Sequence, residues 1–343
     1  MTTSYHVYYS QGYHYHGGKE KPGVELPVNR QFTWYDKVWQ VPAVYACGKG
    51  LVIDFCVEIE PEKIKAFLEK AEKYGYREDR WSDEIREEMR RSNPTEIDFC
   101  AEVVVNGKKL EYRSGNGFGW WPESLRMEEG GWAEESEIEQ MFKHYHLDRN
   151  KGWMFYRRSY AWATLKKPAI KTLQLTMEAR KIATVVKRFQ TPSPGESIRF
   201  TGPATGAEYT LTVLETEDLQ MDGKQMERIH HGELEFPTYY KAMTYALSPE
   251  VEKGEFSLQD CAQGDRPRKK PGSTEEKNGI AAASIAIIGG ADGPASVFLM
   301  AGGHKSTQPR SVCSALHFEP VAEVEWKAMF WEKPCEGYVI NLI

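Results

Sequence analysis

Three histidines near the start of the chain, His6, His14 and His16, come closest in type and spacing to a metal site. Side chains at i and i+2 of a strand share a face, so His14 and His16 would project together. Two neutral imidazoles supply half of a zinc-like ligand set. His6 or a distant carboxylate such as Asp54 or Glu58 would have to complete it. The same residues also suit a partly exposed Tyr/His face on an edge strand. His144 and His146 fall at an expected helix end, where i and i+2 point apart. His317 lies in an apolar run that suits a core histidine. A second group is Gly115-Asn116-Gly117-Phe118-Gly119-Trp120-Trp121. Its glycines allow a sharp turn or a close approach, and its tryptophans offer stacking area for a sugar or base. Gly117, Trp120 and Trp121 are therefore candidate ligand contacts. Without a ligand, the segment reads as a hairpin loop whose tryptophans cap the core. Neither this stretch nor Gly48-Lys49-Gly50 has the spacing of a dinucleotide or phosphate loop.

The third candidate is Asp292, the single charge between Gly279 and Gly303. The segment approaches the length of a membrane span. Gly289-Gly290-Ala291-Asp292-Gly293-Pro294 interrupts it, leaving each half long enough only for a strand. One expectation is a hairpin of Ile285 to Ile288 and Ser296 to Leu299, with Asp292 bonding the turn amides and Pro294 fixing the exit. Over Ser284 to Phe298 the sequence resembles the β subunit of sodium-translocating decarboxylases. The resemblance implies that Asp292 would lie in a broken, re-entrant segment and take part in sodium transport. That family usually has Thr after the proline, where this chain has Ala295, so one hydroxyl ligand is lost. The rest of the chain, including Ser314 to Pro320, resembles bacterial proteins of uncharacterised function.

The elements that must position these residues follow from composition and patterning. At 343 residues the length suggests about two domains. With 41% hydrophobic and 12% aromatic residues, enough apolar area exists to order the chain, which excludes a disordered protein. A net charge of −6 gives no basic footprint for nucleic acid. None of the six cysteines forms a C-x-x-C pair; Cys56 and Cys100, in matching Ile-Asp-Phe-Cys runs, read as small buried hydrophobes. The opening residues carry neither a positive region nor an apolar one, so a cytoplasmic, soluble location is the expectation, with no membrane.

Tyr5 to Tyr15 reads as two short strands broken at Gly12. Val38 to Ala46 and Leu51 to Ile59 read as a hairpin. Pro61 opens a helix that Gly75 ends, and Ser82 caps a second. Asn106-Gly107 suits a type I′ turn, where both central residues take positive φ. Ser136 to Tyr145 reads as an amphipathic helix with Ile138, Met141, Phe142 and Tyr145 on one face. The expected class is α+β, predominantly antiparallel sheets with two or three short helices. The expected organisation is an α+β domain over 1–190, a β-rich segment over 191–263, a flexible linker over 264–279 and a β-rich segment over 280–343. That last segment could pack with 191–263. On sequence alone, the function is that of a protein binding a protein partner or small-molecule ligand. The alternative is a metal-dependent enzyme built on His14 and His16. A sodium-coupled membrane function through Asp292 is the third, and no particular cofactor is implied.

Overall fold

The computed structural model describes residues 5–10, 20–125, 135–221, 234–252, 254–269 and 309–343. The architecture is α+β, dominated by antiparallel strands, as the patterning predicts. The chain divides into two compact units, Met1–Arg180 with Lys333–Ile343, and Lys181–Glu332. The Pro-rich break at 191–195 therefore falls within the second unit.

In the first unit, β1 (Val24–Trp34), β2 (Lys37–Ala46) and β3 (Gly50–Ile59) are followed by α1 (Pro61–Tyr74) and α2 (Asp83–Ser92). Then come β4 (Phe99–Val105), β5 (Lys108–Lys109), β6 (Glu111–Trp120), α3 (Glu135–Tyr145), β7 (Gly152–Ala161) and β8 (Leu173–Ala179). In the second unit are β9 (Ile182–Gln190), β10 (Ser197–Thr201), β11 (Glu208–Gln220), β12 (Leu234–Glu235) and β13 (Tyr239–Ser248). They are followed by β14 (Phe256–Asp260), β15 (Arg268–Lys269), β16 (Arg310–Cys313) and β17 (Glu325–Glu332). Strand β18 (Tyr338–Asn341) returns to the first unit, pairing with β8.

The first unit is a sandwich of a five-stranded sheet, β1-β2-β3-β7-β6, and a four-stranded sheet, β18-β8-β4-β5. Its core joins Val41, Ile53 and Phe55 of one sheet to Phe99, Val103 and Leu175 of the other. Strand β8 alternates strictly, with Leu173, Leu175 and Met177 buried, because only one of its faces meets the core. Strand β3 is buried almost throughout, since the five-stranded sheet is covered on both faces. Helix α3 packs on the outer face through Ile138, Met141, Phe142 and Tyr145, which meet Trp120, Trp153 and Phe155. The expected apolar stripe is the one used. The β4–β5 turn has the expected positive φ at Asn106 (49°) and Gly107 (75°). Ser82 Oγ caps α2 by accepting from Ile85 N.

The second unit is a smaller sandwich of the sheets β10-β11-β13-β16 and β14-β17-β9, with the ribbon β12-β15. Leu211, Val213, Met243, Leu247, Phe256 and Trp326 share one core. No helix among the described residues is long and apolar enough to cross a membrane.

Three local expectations are corrected. Residues 5–10 form no strand; they cross the outer face of the five-stranded sheet, tied by Gly23 N to Val7 O (2.8 Å) and Ser159 Oγ to Tyr9 O (2.8 Å). The glycine-rich stretch before Trp121 is no loop. It is β6, paired with β7 from Glu111 to Trp120, and its glycines admit bulky neighbours: a Cβ on Gly117 would lie 2.8 Å from Tyr156 Cδ1. Cys56 is buried as expected, but Cys100 is exposed, because β4 turns it to the solvent side of a sheet covered on one face.

Candidate functional site

The outer face of the five-stranded sheet holds the densest group of polar side chains with chemical potential. Asp54 on β3 and Arg157 on β7 stand directly opposite in the ladder, so both side chains leave the sheet on the same face. Both are buried, at 1% and 5% exposure. The guanidinium grips the carboxylate with two bonds, Nε to Oδ1 and Nη2 to Oδ2, each 2.7 Å. Burying a lone charge costs several kcal/mol, and this bidentate pairing offsets that cost.

Three phenols surround the pair. Tyr145 at the end of α3 donates to Asp54 Oδ2 at 2.7 Å. Tyr45 on β2 lies 2.6 Å from the Tyr145 oxygen. Because the Tyr145 proton is committed to Asp54, Tyr45 is the donor in that contact. Tyr5 accepts from Arg157 Nη2 at 2.7 Å and donates to Asp54 Oδ2 at 3.3 Å. Burial holds the Tyr145 and Tyr45 phenols well above their usual range, and the Asp54 charge adds to the effect. Burial raises Tyr5 likewise, against the opposing pull of Arg157. The buried Cys56 thiol beside them is also pushed up, chiefly by burial and then by Asp54.

A half-exposed pair borders this group. His144 on α3 places Nε2 2.9 and 3.0 Å from the two carboxylate oxygens of Glu25 on β1. Its ring lies 4.8 Å from that of Tyr5, tilted by 32°. The segment 5–9 therefore passes between α3 and the sheet with alternate side chains seated. Val7 is fully buried among Ala43, Tyr45, Cys47 and Val52. The Tyr9 ring lies over Gly50, where a Cβ would come within 2.3 Å of Tyr9 Cε2. His6, between the seated side chains, is exposed.

A carboxylate offers about four lone-pair sites. Arg157, Tyr145 and Tyr5 make four hydrogen bonds to Asp54, three of them to Oδ2 and one to Oδ1. The cluster is therefore organised to hold groups in place. Its phenols stay protonated at neutral pH, and its carboxylate is held by Arg157 on both oxygens.

Of the described residues singled out from sequence, Asp54 is in this cluster, and Trp120, Trp121, Gly117 and His6 are not gathered with it. Trp120 is buried on the α3 side, its ring 4.4 Å from Phe142, while Trp121 packs on the opposite, sandwich side. The two indoles share no face. Gly117 lies in β6 against Tyr156. His14, His16 and Asp292 lie outside the described residues, and the exposed His6 ring is 6.5 Å from Tyr8. Of the two carboxylates considered for a metal, Asp54 is committed as above and Glu58 pairs with Lys151 at 2.8 Å. Among the described residues no group of three or more His, Cys, Asp or Glu is arranged to hold a metal ion.

The Tyr5–Tyr45–Tyr145–Arg157 assembly escapes sequence reasoning, although one signal exists: Asp54 and Arg157 are charges inside otherwise apolar strands. No family model matches the chain, and neither a curated protein nor a solved structure matches it.

Proposed function

We propose that this chain acts by binding a partner or ligand on its β-sheet surfaces, and that it is not a catalyst. The observation that supports the reading is the state of the Asp54–Arg157 cluster. Asp54 and Arg157 are committed to each other and to positioning a chain segment, with the Tyr5 hydroxyl seated between carboxylate and guanidinium. Buried, hydrogen-bonded polar groups of this kind give selectivity, because a ligand lacking the matching hydroxyl would forfeit its bonds to them. A metal-dependent enzyme using Asp54 would first have to displace Arg157 from it.

The test is a screen of the immobilised full-length chain against a displayed random-peptide library, followed by titration calorimetry of the enriched sequences. Saturable binding of selected peptides is the expected result. Failure to enrich any sequence over an empty support would overturn the reading as applied to polypeptide partners.

A further inference from the structure

One end of the first unit's sandwich is built from segments of a single charge sign. The β2–β3 turn with its flanks (46–50), the tip of the β4–β5 hairpin (106–109) and the β7–β8 loop (162–172) meet there. Trp162 Nε1 donates to Cys47 O at 3.0 Å and Lys167 Nζ to Ala46 O at 2.6 Å, which ties the loop to the first turn. The Asn106 side chain accepts from Lys171 N (2.8 Å) and Thr172 N (3.0 Å) and donates to Ala169 O (2.8 Å), which ties the same loop to the second. Together the three segments carry Lys49, Lys108, Lys109, Lys166, Lys167 and Lys171, and neither aspartate nor glutamate. All six lysines are exposed. Lys109 pairs with Glu102 on β4. Among the described residues no ion pair engages Lys49, Lys108, Lys166 or Lys171. In a chain of net charge −6, this end reverses the sign locally.

The loop also presents an apolar tip. Its Trp162 and Ile170 pack back against the core of the first unit. Leu165 does not: its exposure is 108%, against 60% for Val24, the next most exposed large apolar residue among those described. A lone exposed leucine is ordinary on a protein surface. This one projects from a loop pinned at both ends and stands beside Lys166 and Lys167.

We propose that this end is a peripheral docking surface for a bilayer containing anionic phospholipid, with Leu165 entering the interface and the lysines facing the headgroup phosphates. Charge complementarity selects a negative partner. Leu165 then selects among negative partners, because a bilayer places an apolar layer directly beneath its phosphates and a nucleic acid does not. The cations are all lysine, whose compact charge suits a diffuse field; a built phosphate site favours the bidentate fork of arginine. Lysine stems can lie along apolar surface while their ammonium groups stay with the headgroups. Attachment of this kind needs no spanning helix, and it goes beyond the partner-binding reading without using the Asp54–Arg157 cluster.

The experiment is co-sedimentation of the full-length chain with vesicles of phosphatidylcholine alone or mixed about three to one with phosphatidylserine. The mixed vesicles should bind the chain at least about 10-fold more tightly, and the preference should vanish between about 0.1 M and about 1 M salt. Lys108→Gln/Lys166→Gln/Lys171→Gln should weaken binding to the mixed vesicles by at least about 10-fold, since each lysine near such a surface is worth about 5-fold. Leu165→Ser should also weaken it by about 10-fold, with the charge unchanged. All four side chains are exposed, so circular dichroism of the variants should match that of the unaltered chain. Equal binding of the unaltered chain to both vesicle types, or binding to neither, would overturn the proposal whether or not a variant folds. Binding to mixed vesicles that a folded Leu165→Ser chain retains in full would overturn it as well, marking a site for polyanions such as nucleic acid.

Discussion

At the scale of single residues, the buried ion pair sets the expectations. Arg157→Ala leaves Asp54 charged and uncompensated inside the protein and should cost about 3–5 kcal/mol in denaturant unfolding. Asp54→Leu/Arg157→Met, which leaves no buried charge behind, should cost less than Arg157→Ala, the remainder coming from the Tyr145 hydroxyl that loses its acceptor. The phenols add a pH dependence whose sign is fixed. Burial raises Tyr45 and Tyr145, so the folded chain keeps protons that the unfolded chain releases near pH ~10. That contribution is fully present below about pH 10 and is lost as pH rises above it. Stability measured against pH should fall on the alkaline side, and Tyr145→Phe should make the fall shallower. Thiol chemistry separates the two matching Ile-Asp-Phe-Cys runs. Cys100 is exposed, whereas burial pushes Cys47 up to about 11 and Cys56 up as well. A disulfide reagent at neutral pH should modify Cys100 first, and Cys100→Ser should abolish the fast phase. The charges at 54 and 157 stand out in the sequence as breaks in apolar runs. Their pairing does not, because it depends on a strand register set across about a hundred residues.

Elements were legible where local chemistry alone decides them. Asn106-Gly107 announces its turn, and the structure adds what no pattern could. The Asn106 side chain accepts from Lys171 N and Thr172 N and donates to Ala169 O, binding the approach to β8 onto the turn. Gly107→Ala, forced to φ 75°, should cost about 1–2 kcal/mol by thermal or chemical unfolding. The helices were equally readable, since Pro61, Gly75 and Ser82 mark boundaries by capping and φ preference. Strand β6 was not. Three glycines in five residues read as a loop, and only the bulk of Tyr156 and Met154 on β7 shows why side chains had to be absent there. The Tyr/His-rich opening misled for the opposite reason. Over residues 5–9 the alternation is real, but it seats Tyr5, Val7 and Tyr9 against a sheet face, and those residues form no strand.

For the whole molecule, class and strand dominance follow from composition, while connectivity does not. Each unit closes its own core, around Trp39 in the first and Trp326 in the second. Trp326→Ala should cost about 3–5 kcal/mol and lower one thermal transition while a second, belonging to the first unit, stays in place. Coincident loss of both transitions would show that the units unfold as one. Deleting 333–343 should act the other way round. It removes β18 from its pairing with β8 and strips Tyr338, Ile340 and Leu342 from the core of the first unit.

The return of β18 also orders events during translation. Residues 181–332 leave the ribosome before 338–341 do, so the four-stranded sheet waits, with the flank of β8 uncapped, until the intervening sandwich has emerged. An open strand flank is a template for stray pairing. Nascent chains stalled between residues 180 and 332 should therefore be the most chaperone-dependent and the most readily aggregated.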